Sequence, residues 1–312
     1  MFLYLALYRL DWPAFFVSFK KLEYHLLPII FIWSSLAGLI RAVRWRVLLS
    51  AEKKIPVPSV FRGNMAGYLG NNIFPGRAGE FIRAAYISRE NKVPASFVLA
   101  TGLVERFIDL MALVIISFLS LSASNLFSQP LQSALDLLSF AALAGFIVIL
   151  LLPYSGQNLL PIIEWIPWSN AATKSKLTLL LDQFLRGVKA LHHPRRILSF
   201  AFYTCLIWPM DAIGITLLGQ TLGLELTLFQ ALLLLAGLGL SSAIPSTPGY
   251  VGVYQLVAVI ILEPFNISST NAVALIIVLQ VINLLTTIIW GGWAAWRLRS
   301  ASLPKKEGNI DA

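Results

Sequence analysis

Residues 63–109 read GNMAGYLGNNIFPGRAGEFIRAAYISRENKVPASFVLATGLVERFID. This stretch is apolar enough to enter a membrane, yet it is interrupted at Asn71, Asn72, Pro75, Gly76, Arg77, Glu80, Arg83, Glu105, Arg106 and Asp109. A charged side chain at the bilayer midplane costs roughly 2.5–3.5 kcal/mol on insertion scales, so it must face a water-filled cavity or pair with another charge. The stretch therefore predicts a polar site inside a membrane domain, because a passive anchor would carry leucine at these positions.

The composition sets the class of the whole chain. Of its 312 residues, 57% are hydrophobic and 12% are charged, far from the shares that are usual in soluble domains. We predict an all-α integral membrane protein, a polytopic helical bundle that forms a single domain over residues 1–312. The net charge of +9 does not indicate a nucleic-acid partner, because the basic residues cluster beside apolar segments. One cysteine, Cys205, cannot build a disulfide framework.

Apolar segments and basic clusters divide the chain into two halves. Residues 1–25 are predicted to form an interfacial helix or a truncated first span. Residues 26–152 form the first half and residues 197–299 the second. Between them, residues 153–196 are a cytoplasmic connector with an amphipathic surface helix, and residues 300–312 are a disordered cytoplasmic tail. The predicted spans cover residues 26–43, 95–122, 133–152, 197–218 and 271–296.

Two further apolar segments are interrupted. Residues 61–82 are broken by NNIFPGR and have basic residues on both sides, so both flanks are predicted to be cytoplasmic. Residues 228–262 are broken by IPSTPGYVG, whose prolines and glycines cannot sustain one straight helix. We predict two re-entrant hairpins, the first from the cytoplasm and the second from outside, with a cytoplasmic C-terminus. The alternative layout makes both segments kinked crossings. Paired hairpins predict an inverted repeat with a transporter-type site.

The chemistry of the breaks suits an anionic group. Half-helix N-termini expose backbone N–H groups that bind a lipid phosphate well, and Arg77 and Arg83 add guanidinium donors. Glu105 and Asp109 share one helix face, whereas Arg106 points about 100° away. Two interpretations stay open, since Arg77 either pairs with Glu105 or Asp109 to hold the hairpin or binds the substrate. The candidate substrate-binding residues are Asn71, Asn72, Arg77, Glu80, Arg83, Glu105, Arg106, Asp109, Pro245, Pro248, Gly249, Tyr250 and Gln255.

Four motifs carry a resemblance to a known family. They are RAVRWRVLL (41–49), NNIFPGRAGEFIRA (71–84), VERFID (104–109) and IPSTPGYVG (244–252). They resemble the membrane domain that is shared by lysylphosphatidylglycerol synthases, the multiple peptide resistance factors, and their stand-alone flippase-like relatives. The resemblance implies movement of a phospholipid between leaflets, without the soluble aminoacyltransferase domain of the two-domain members. Relatives usually begin with a complete extra span, and an acidic residue often stands where this chain has Gln255.

The sequence therefore predicts a flippase-like protein that binds and translocates a polar-headed lipid, either a phospholipid or an isoprenoid-linked lipid. The alternative is an intramembrane enzyme, or an accessory subunit of one, that acts in aminoacyl-phospholipid or glycolipid synthesis with Glu105 or Asp109 as the base. The enzyme is less favoured, because the chain has no nucleotide motif and no Ser-His-Asp arrangement. No cofactor and no metal site are predicted. The expected partners are the lipid substrate and the bilayer, with a second copy or a lipid-biosynthetic enzyme also considered, in the bacterial inner membrane.

Overall fold

The computed structural model describes residues 10–20, 22–74, 76, 78–122, 170–242 and 247–302, together with isolated positions between 137 and 151. Regular structure in these ranges is helical. The helices are α1 (Trp12–Lys20), α2 (Leu27–Leu49), α3 (Val57–Ile73), α4 (Gly79–Asn91), α5 (Ala95–Ser122), α6 (Ala171–Lys189), α7 (Pro194–Thr221), α8 (Leu228–Ser241), α9 (Val253–Leu262) and α10 (Ser269–Ser302). Short 3-10 turns precede α2 and lie at Pro248–Tyr250 in the second break.

The outer surface of these helices is apolar. Four segments are long and apolar enough to cross a membrane by length and composition, namely Tyr24–Leu49, Pro194–Thr221, Pro248–Phe265 and Ser269–Ser300. Large apolar side chains face outward along them, including Ile32 at 65% exposure and Phe202 at 62%. Exposed apolar helix faces are stable only in lipid, so the prediction of an all-α integral membrane protein is confirmed.

The first interrupted segment folds as an antiparallel helical hairpin of α3 and α4. Glycines of α3 allow the close approach, because a Cβ on Gly63 would meet Ile87, one on Gly67 would lie 2.9 Å from the Cβ of Arg83, and one on Gly70 would meet Gly79. The residue number of the contacted partner in α4 decreases as the residue number in α3 increases, which is typical of antiparallel packing. The small-residue spacing of Gly63 and Gly67 is thus used for helix packing.

The second interrupted segment forms a hairpin of α8 and α9, and Gly237 of α8 packs against Val257 and Ile261 of α9. The break between them turns through left-handed backbone at Gly249 (φ +68°), Tyr250 (φ +59°) and Gly252 (φ +91°). Tyr250 is costly there, because a side chain at positive φ crowds the backbone. Several such residues in succession explain why no continuous helix runs from Leu228 to Leu262.

The two halves share one packing plan. Helices α2 to α5 correspond in order to α7 to α10, each set being a helix, a hairpin and a helix. Exchanging the sets preserves the helix pairs in contact: α3–α10 becomes α8–α5, α2–α3 becomes α7–α8, α4–α5 becomes α9–α10, and α2–α5 becomes α7–α10. Among the contacts within these eight described helices, that of α2 with α10 lacks a counterpart in the principal helix contacts.

The equivalent helices α2 and α7 are antiparallel. Trp33 lies beside Gly214, and Arg44, eleven residues further along α2, donates to the hydroxyl of Thr204, ten residues earlier in α7. Equivalent helices that run in opposite directions are typical of an inverted repeat, because a parallel repeat would keep them in the same direction.

Two predicted elements can be compared with the structure only in part. The connector helix α6 packs on α5, where Gly187 contacts Phe97 and Ala100. The predicted span at residues 133–152 lies almost wholly outside the described residues, and so do residues 303–312 of the predicted tail. Helix α2 also continues past residue 43 to Leu49, because Arg44 and Trp45 are buried inside the bundle rather than at its end.

Candidate functional site

A buried ion network joins α2, α4 and α5. In α2, Arg44 donates from Nη1 to Oδ1 of Asp109 at 2.6 Å and from Nη2 to Oδ2 of Asp109 and Oε1 of Glu105, each at 2.9 Å. On the other side of Glu105, Nη1 of Arg83 lies 2.9 Å from Oε2. Each oxygen of Glu105 therefore accepts from a different arginine, as its position on the same helix face as Asp109 allows.

The network continues to the surface of a cavity. Nε of Arg83 lies 2.6 Å from Oε2 of Glu80, whose other oxygen accepts from Nε of Arg106 at 2.8 Å. Nη1 of Arg106 lies 3.9 Å from Oδ2 of Asp109, which is an ion-pair distance and not a hydrogen bond. Three arginines thus balance three carboxylates, so this cluster carries no net charge and each of its members is paired.

The arginines of the network are packed against aromatic rings. The guanidinium carbon of Arg83 lies 4.4 Å from the ring centroid of Trp45, and that of Arg44 lies 5.0 Å from the ring of Phe200. Arg44 is 1% exposed and Arg83 2%. Such desolvated cation–π contacts each contribute on the order of 2 kcal/mol, which helps to offset the loss of water.

A second ion pair lies on the neighbouring helices α2 and α7. Nη2 of Arg41 hydrogen-bonds to Oδ2 of Asp211, which ties the two equivalent helices together. Charges inside a span are costly unless they are paired, and this contact gives each of the two side chains a partner. Arg41 and Arg44, at the end of the predicted span at residues 26–43, thus both form ion pairs inside the bundle.

Between the two hairpin tips lies a cavity of about 790 Å³. Eight of the predicted site residues line it: Asn71, Asn72, Glu80, Arg106, Pro248, Gly249, Tyr250 and Gln255. The tips contact each other, because a Cβ on Gly249 would lie 3.6 Å from Oδ1 of Asn72. Residues from both halves of the chain thus meet around one space, with polar groups in a largely apolar lining, at the interface where an inverted repeat is expected to bind its substrate.

Hydrogen bonds hold the second hairpin tip in shape. Oε1 of Gln255 accepts from the backbone N–H of Gly252 at 2.7 Å, and its Nε2 donates to Oε1 of Gln280 at 2.7 Å. Gln280 then donates from Nε2 to the carbonyl oxygen of Gly249 at 2.8 Å. The rings of Tyr250 and Tyr254 stack at 4.8 Å. Gln255 therefore closes a chain across the left-handed turn, which explains an amide at this position.

Hydrogen bonds also anchor the first hairpin tip. Oδ1 of Asn71 accepts from the backbone N–H of Gly79 at 2.8 Å, which caps the beginning of α4 after the break. Nδ2 of Asn72 donates to the hydroxyl of Thr287 in α10 at 3.0 Å. Both asparagines thus have a structural role in addition to their place in the cavity wall.

The lining of the cavity is largely apolar. Among its apolar residues, Val251, Val281 and Leu284 are 46%, 49% and 40% exposed. An apolar and accessible part of the wall gives the chains of a lipid a place beside the polar groups. A molecule with a polar head and apolar chains fits this geometry, because the head can occupy the cavity while the chains stay in the bilayer.

The remaining predicted residues fall into two groups. Arg83, Glu105 and Asp109 lie in the ion network behind Glu80 and Arg106 and do not line the cavity. Arg77 and Pro245 lie outside the described residues, as does Pro75. The partners of Glu105 and Asp109 in the described structure are Arg44, Arg83 and Arg106. A sequence signal for Arg44 existed, because it stands at helical spacing from Arg41 inside an apolar helix.

The part of the chain that the structure describes contains no group of three or more His, Cys, Asp or Glu side chains that could hold a metal ion. What the cavity offers instead is a guanidinium–carboxylate pair, amide groups, hydroxyl groups and the backbone of two helix breaks. Such an arrangement suits hydrogen bonding to a polar head group.

Comparison with known proteins gives the following. A family model described as "Lysylphosphatidylglycerol synthase TM region" matches residues 1–291. The chain is also 24% identical over 224 residues to "UPF0104 membrane protein MJ1078" of Methanocaldococcus jannaschii, in an alignment that covers 71% of this chain and 90% of that protein. No solved structure matches the chain.

Proposed function

Because the chain belongs to the family described as the lysylphosphatidylglycerol synthase TM region, we propose that it binds a polar-headed membrane lipid and moves it between the leaflets. Membership confirms the resemblance read from the four sequence motifs. The observation that carries the proposal is the cavity between the hairpin tips, where polar groups of both halves share a largely apolar lining with the accessible side chains of Val251, Val281 and Leu284, which we take as its opening to the lipid.

Translocation of a lipid requires shelter for its head group. A polar group without hydrogen-bond partners in an apolar medium costs several kcal/mol, so a head group crosses the bilayer slowly unless a protein supplies partners. Arg106 and Glu80 offer both signs of charge at the cavity wall, and Asn71 and Asn72 add amides. The volume of about 790 Å³ lies within the usual range for small-molecule sites.

The residues of the site take different parts in this proposal. Glu80 and Arg106, with Asn71, Asn72 and the second tip at Pro248, Gly249 and Tyr250, contact the head group. Arg83, Glu105 and Asp109 position Glu80 and Arg106 from behind, through the ion network. Gln255 holds the second tip in place. For Arg77 and Pro245 the roles stay as expected from the sequence, phosphate binding and the interruption of the helix.

The orientation in the membrane is part of the proposal. Helices α3, α4, α8 and α9 have 17, 13, 14 and 10 residues. Without the flanking 3-10 turns that extend α9 to the segment Pro248–Phe265, these helices are about 15–25 Å long at 1.5 Å per residue, which is shorter than a hydrocarbon core of about 30 Å. We therefore infer that both hairpins are re-entrant, the first from the cytoplasm and the second from outside, with the C-terminus cytoplasmic and the protein in the bacterial inner membrane.

Leaflet exchange in proteoliposomes tests the proposal. A fluorescent phospholipid is bleached by a reductant that reaches the outer leaflet only, and the wild-type chain is expected to let the inner-leaflet fraction bleach as well. Val281→Trp, which fills the lateral opening, is expected to slow exchange by about tenfold or more, a barrier increase of about 1.4 kcal/mol.

The matched control is Leu285→Trp on the same helix. Leu285 is 48% exposed and does not line the cavity, so this variant should exchange lipid at the wild-type rate. Exchange no faster than in protein-free liposomes, with a change in the mass of the lipid, would replace transport by the alternative of lipid modification. If both variants slowed lipid exchange equally, the assignment of the opening to Val281 would be contradicted.

A further inference from the structure

A second cavity of about 380 Å³ lies beside the first, between α2 and α7. Its distinctive lining residues are Ser34, Trp33 and Arg41 of α2 with Trp208 and Asp211 of α7. Tyr68, Arg106, Tyr254, Asn283 and Thr287 line both cavities. The two spaces therefore share one wall, and the guanidinium group of Arg106 belongs to both.

The charges of the second cavity differ from those of the first. The charged residues in its lining, among those that the structure describes, are Arg41, Arg106 and Asp211. Glu80, which balances Arg106, lines only the first cavity. Each guanidinium group already pairs with a carboxylate, and it has further N–H groups that can donate to the oxygens of an anion.

Trp208 contributes an indole N–H donor to the residues of the second cavity. Its Nε1 is buried and has no hydrogen-bond partner in the described part of the chain. The other tryptophan of the cavity differs, since Nε1 of Trp33 donates to the carbonyl oxygen of Met210 at 2.8 Å. Buried donors are nearly always paired and an indole N–H can only donate, so this unpaired N–H on a residue of the cavity lining is a candidate donor to a ligand.

We propose that the second cavity binds a phosphate oxyanion, with Trp208 Nε1, Arg41 and Arg106 as its donors. A phosphodiester presents two unesterified oxygens that can accept from these donors. The identification of its source as a lipid head group rests on the proposed function. Since Arg106 lines both cavities, a phosphate held by Arg106 in the first cavity is already at the wall of the second, which makes the second cavity the next position of the head group.

The site can be read directly by fluorine NMR. The full chain is labelled with 5-fluorotryptophan in detergent micelles, and the resonance that is missing from the Trp208→Phe spectrum is assigned to Trp208. Titration with dihexanoyl phosphatidylglycerol is expected to shift this resonance in a saturable manner, while the resonance of Trp296, which is 65% exposed and lines neither cavity, stays in place.

Three comparisons decide the outcome. Dihexanoyl glycerol, which lacks the phosphate, should leave the Trp208 resonance unchanged, and an equal shift would overturn the proposal, as would no response to phosphatidylglycerol. A saturable shift with inorganic phosphate would support the oxyanion site and identify free phosphate as its source. The NMR titration measures binding and does not depend on translocation. If the Trp208 resonance shifted in a protein that does not exchange lipid, the binding site would be supported and the proposed transport function would be contradicted.

The affinity supplies a second measurement. Trp208→Phe keeps the ring and removes the N–H, so binding of phosphatidylglycerol at this site should weaken by about tenfold or more, as for the loss of a bond to a charged group. The affinity is measured from the change in chemical shift of the fluorotryptophan at position 33, which lines the same cavity. An unchanged affinity would show that Trp208 is not a ligand and would overturn its assignment.

Discussion

Arg44 of α2 binds Asp109 of α5 through both of its terminal nitrogens, with Nη1 2.6 Å from Oδ1 and Nη2 2.9 Å from Oδ2. Two parallel bonds of this kind fix the planes of both groups and are among the strongest polar contacts in proteins. Glu105, one turn earlier, accepts from the same guanidinium group. Arg44 therefore ties α2 to α5 behind the cavity wall, and the position of Arg106 depends on that junction.

Removing Arg44 is predicted to destabilise the protein. Arg44→Met leaves Asp109 and Glu105 with fewer cations in a buried site, and breaking a buried pair on one side costs roughly 3–5 kcal/mol. The free energy of unfolding in mixed micelles measures this. Arg44→Met with Asp109→Asn should recover part of the loss, because the unpaired charge is removed.

The control for this prediction is Arg186→Met on α6, where Arg186 pairs with Asp182 at 2.8 Å and both side chains are about half exposed. Exposed pairs contribute about 0–1 kcal/mol, so this variant should unfold almost as the wild type does. Equal losses in Arg44→Met and Arg186→Met would contradict the importance of the buried network.

The first hairpin should not tolerate a methyl group at Gly79. A Cβ at this position would overlap the backbone carbonyl oxygen of Gly67 and the side-chain amide of Asn71. The carbonyl oxygen of Gly67 cannot move aside as the end of a side chain does, because it belongs to the backbone. Gly79→Ala is predicted to lose about 1–3 kcal/mol of stability or more, as overpacked sites do. Gly292→Ala in α10, where a Cβ meets nothing within 4 Å, is the matched control and should be neutral or slightly stabilising.

Breaking the hydrogen-bond chain at Gln255 is predicted to loosen the second hairpin tip. Gln255→Leu leaves the N–H of Gly252 and the amide of Gln280 without their partner, so the left-handed turn loses its support. Amide hydrogen exchange of residues 247–252 should quicken by about tenfold, and lipid exchange should slow. Gln220→Leu, at an exposed position of α7, should change neither rate. If amide hydrogen exchange of these residues were unchanged in Gln255→Leu, contacts other than those of Gln255 would hold the hairpin tip in shape.

Cysteine labelling tests the proposed orientation. Cys205 is exposed, so it is first replaced by serine. Single cysteines at the exposed positions Glu52 and Ala95, which flank the first hairpin, should react with an impermeant reagent only from the cytoplasm. Those at Glu225 and Ser268, which flank the second hairpin, should react only from outside. If Glu52 and Ala95 were labelled from opposite sides, the first segment would cross the membrane and both the re-entrant hairpin and the inverted topology would be lost.

The elements of the fold were predictable because their signals are local. Helix α5 has the bounds expected for the span at residues 95–122, and the break in residues 228–262 lies at the IPSTPGYVG motif, between α8 and α9. Apolar runs of sufficient length and interruptions by proline and glycine act within a few residues, so they can be read without knowledge of the partners.

The sequence alone determined that this is a helical membrane protein with two interrupted segments and a polar site near Glu105 and Asp109. Only the tertiary structure decided which charges pair, because Arg44 and Asp109 are 65 positions apart and meet through the packing of α2 on α5. It likewise separated the residues of the cavity wall, such as Arg106, from those behind it, such as Arg83. Membrane insertion of a segment depends on its own composition, whereas the partner of a buried charge depends on which helices share an interface.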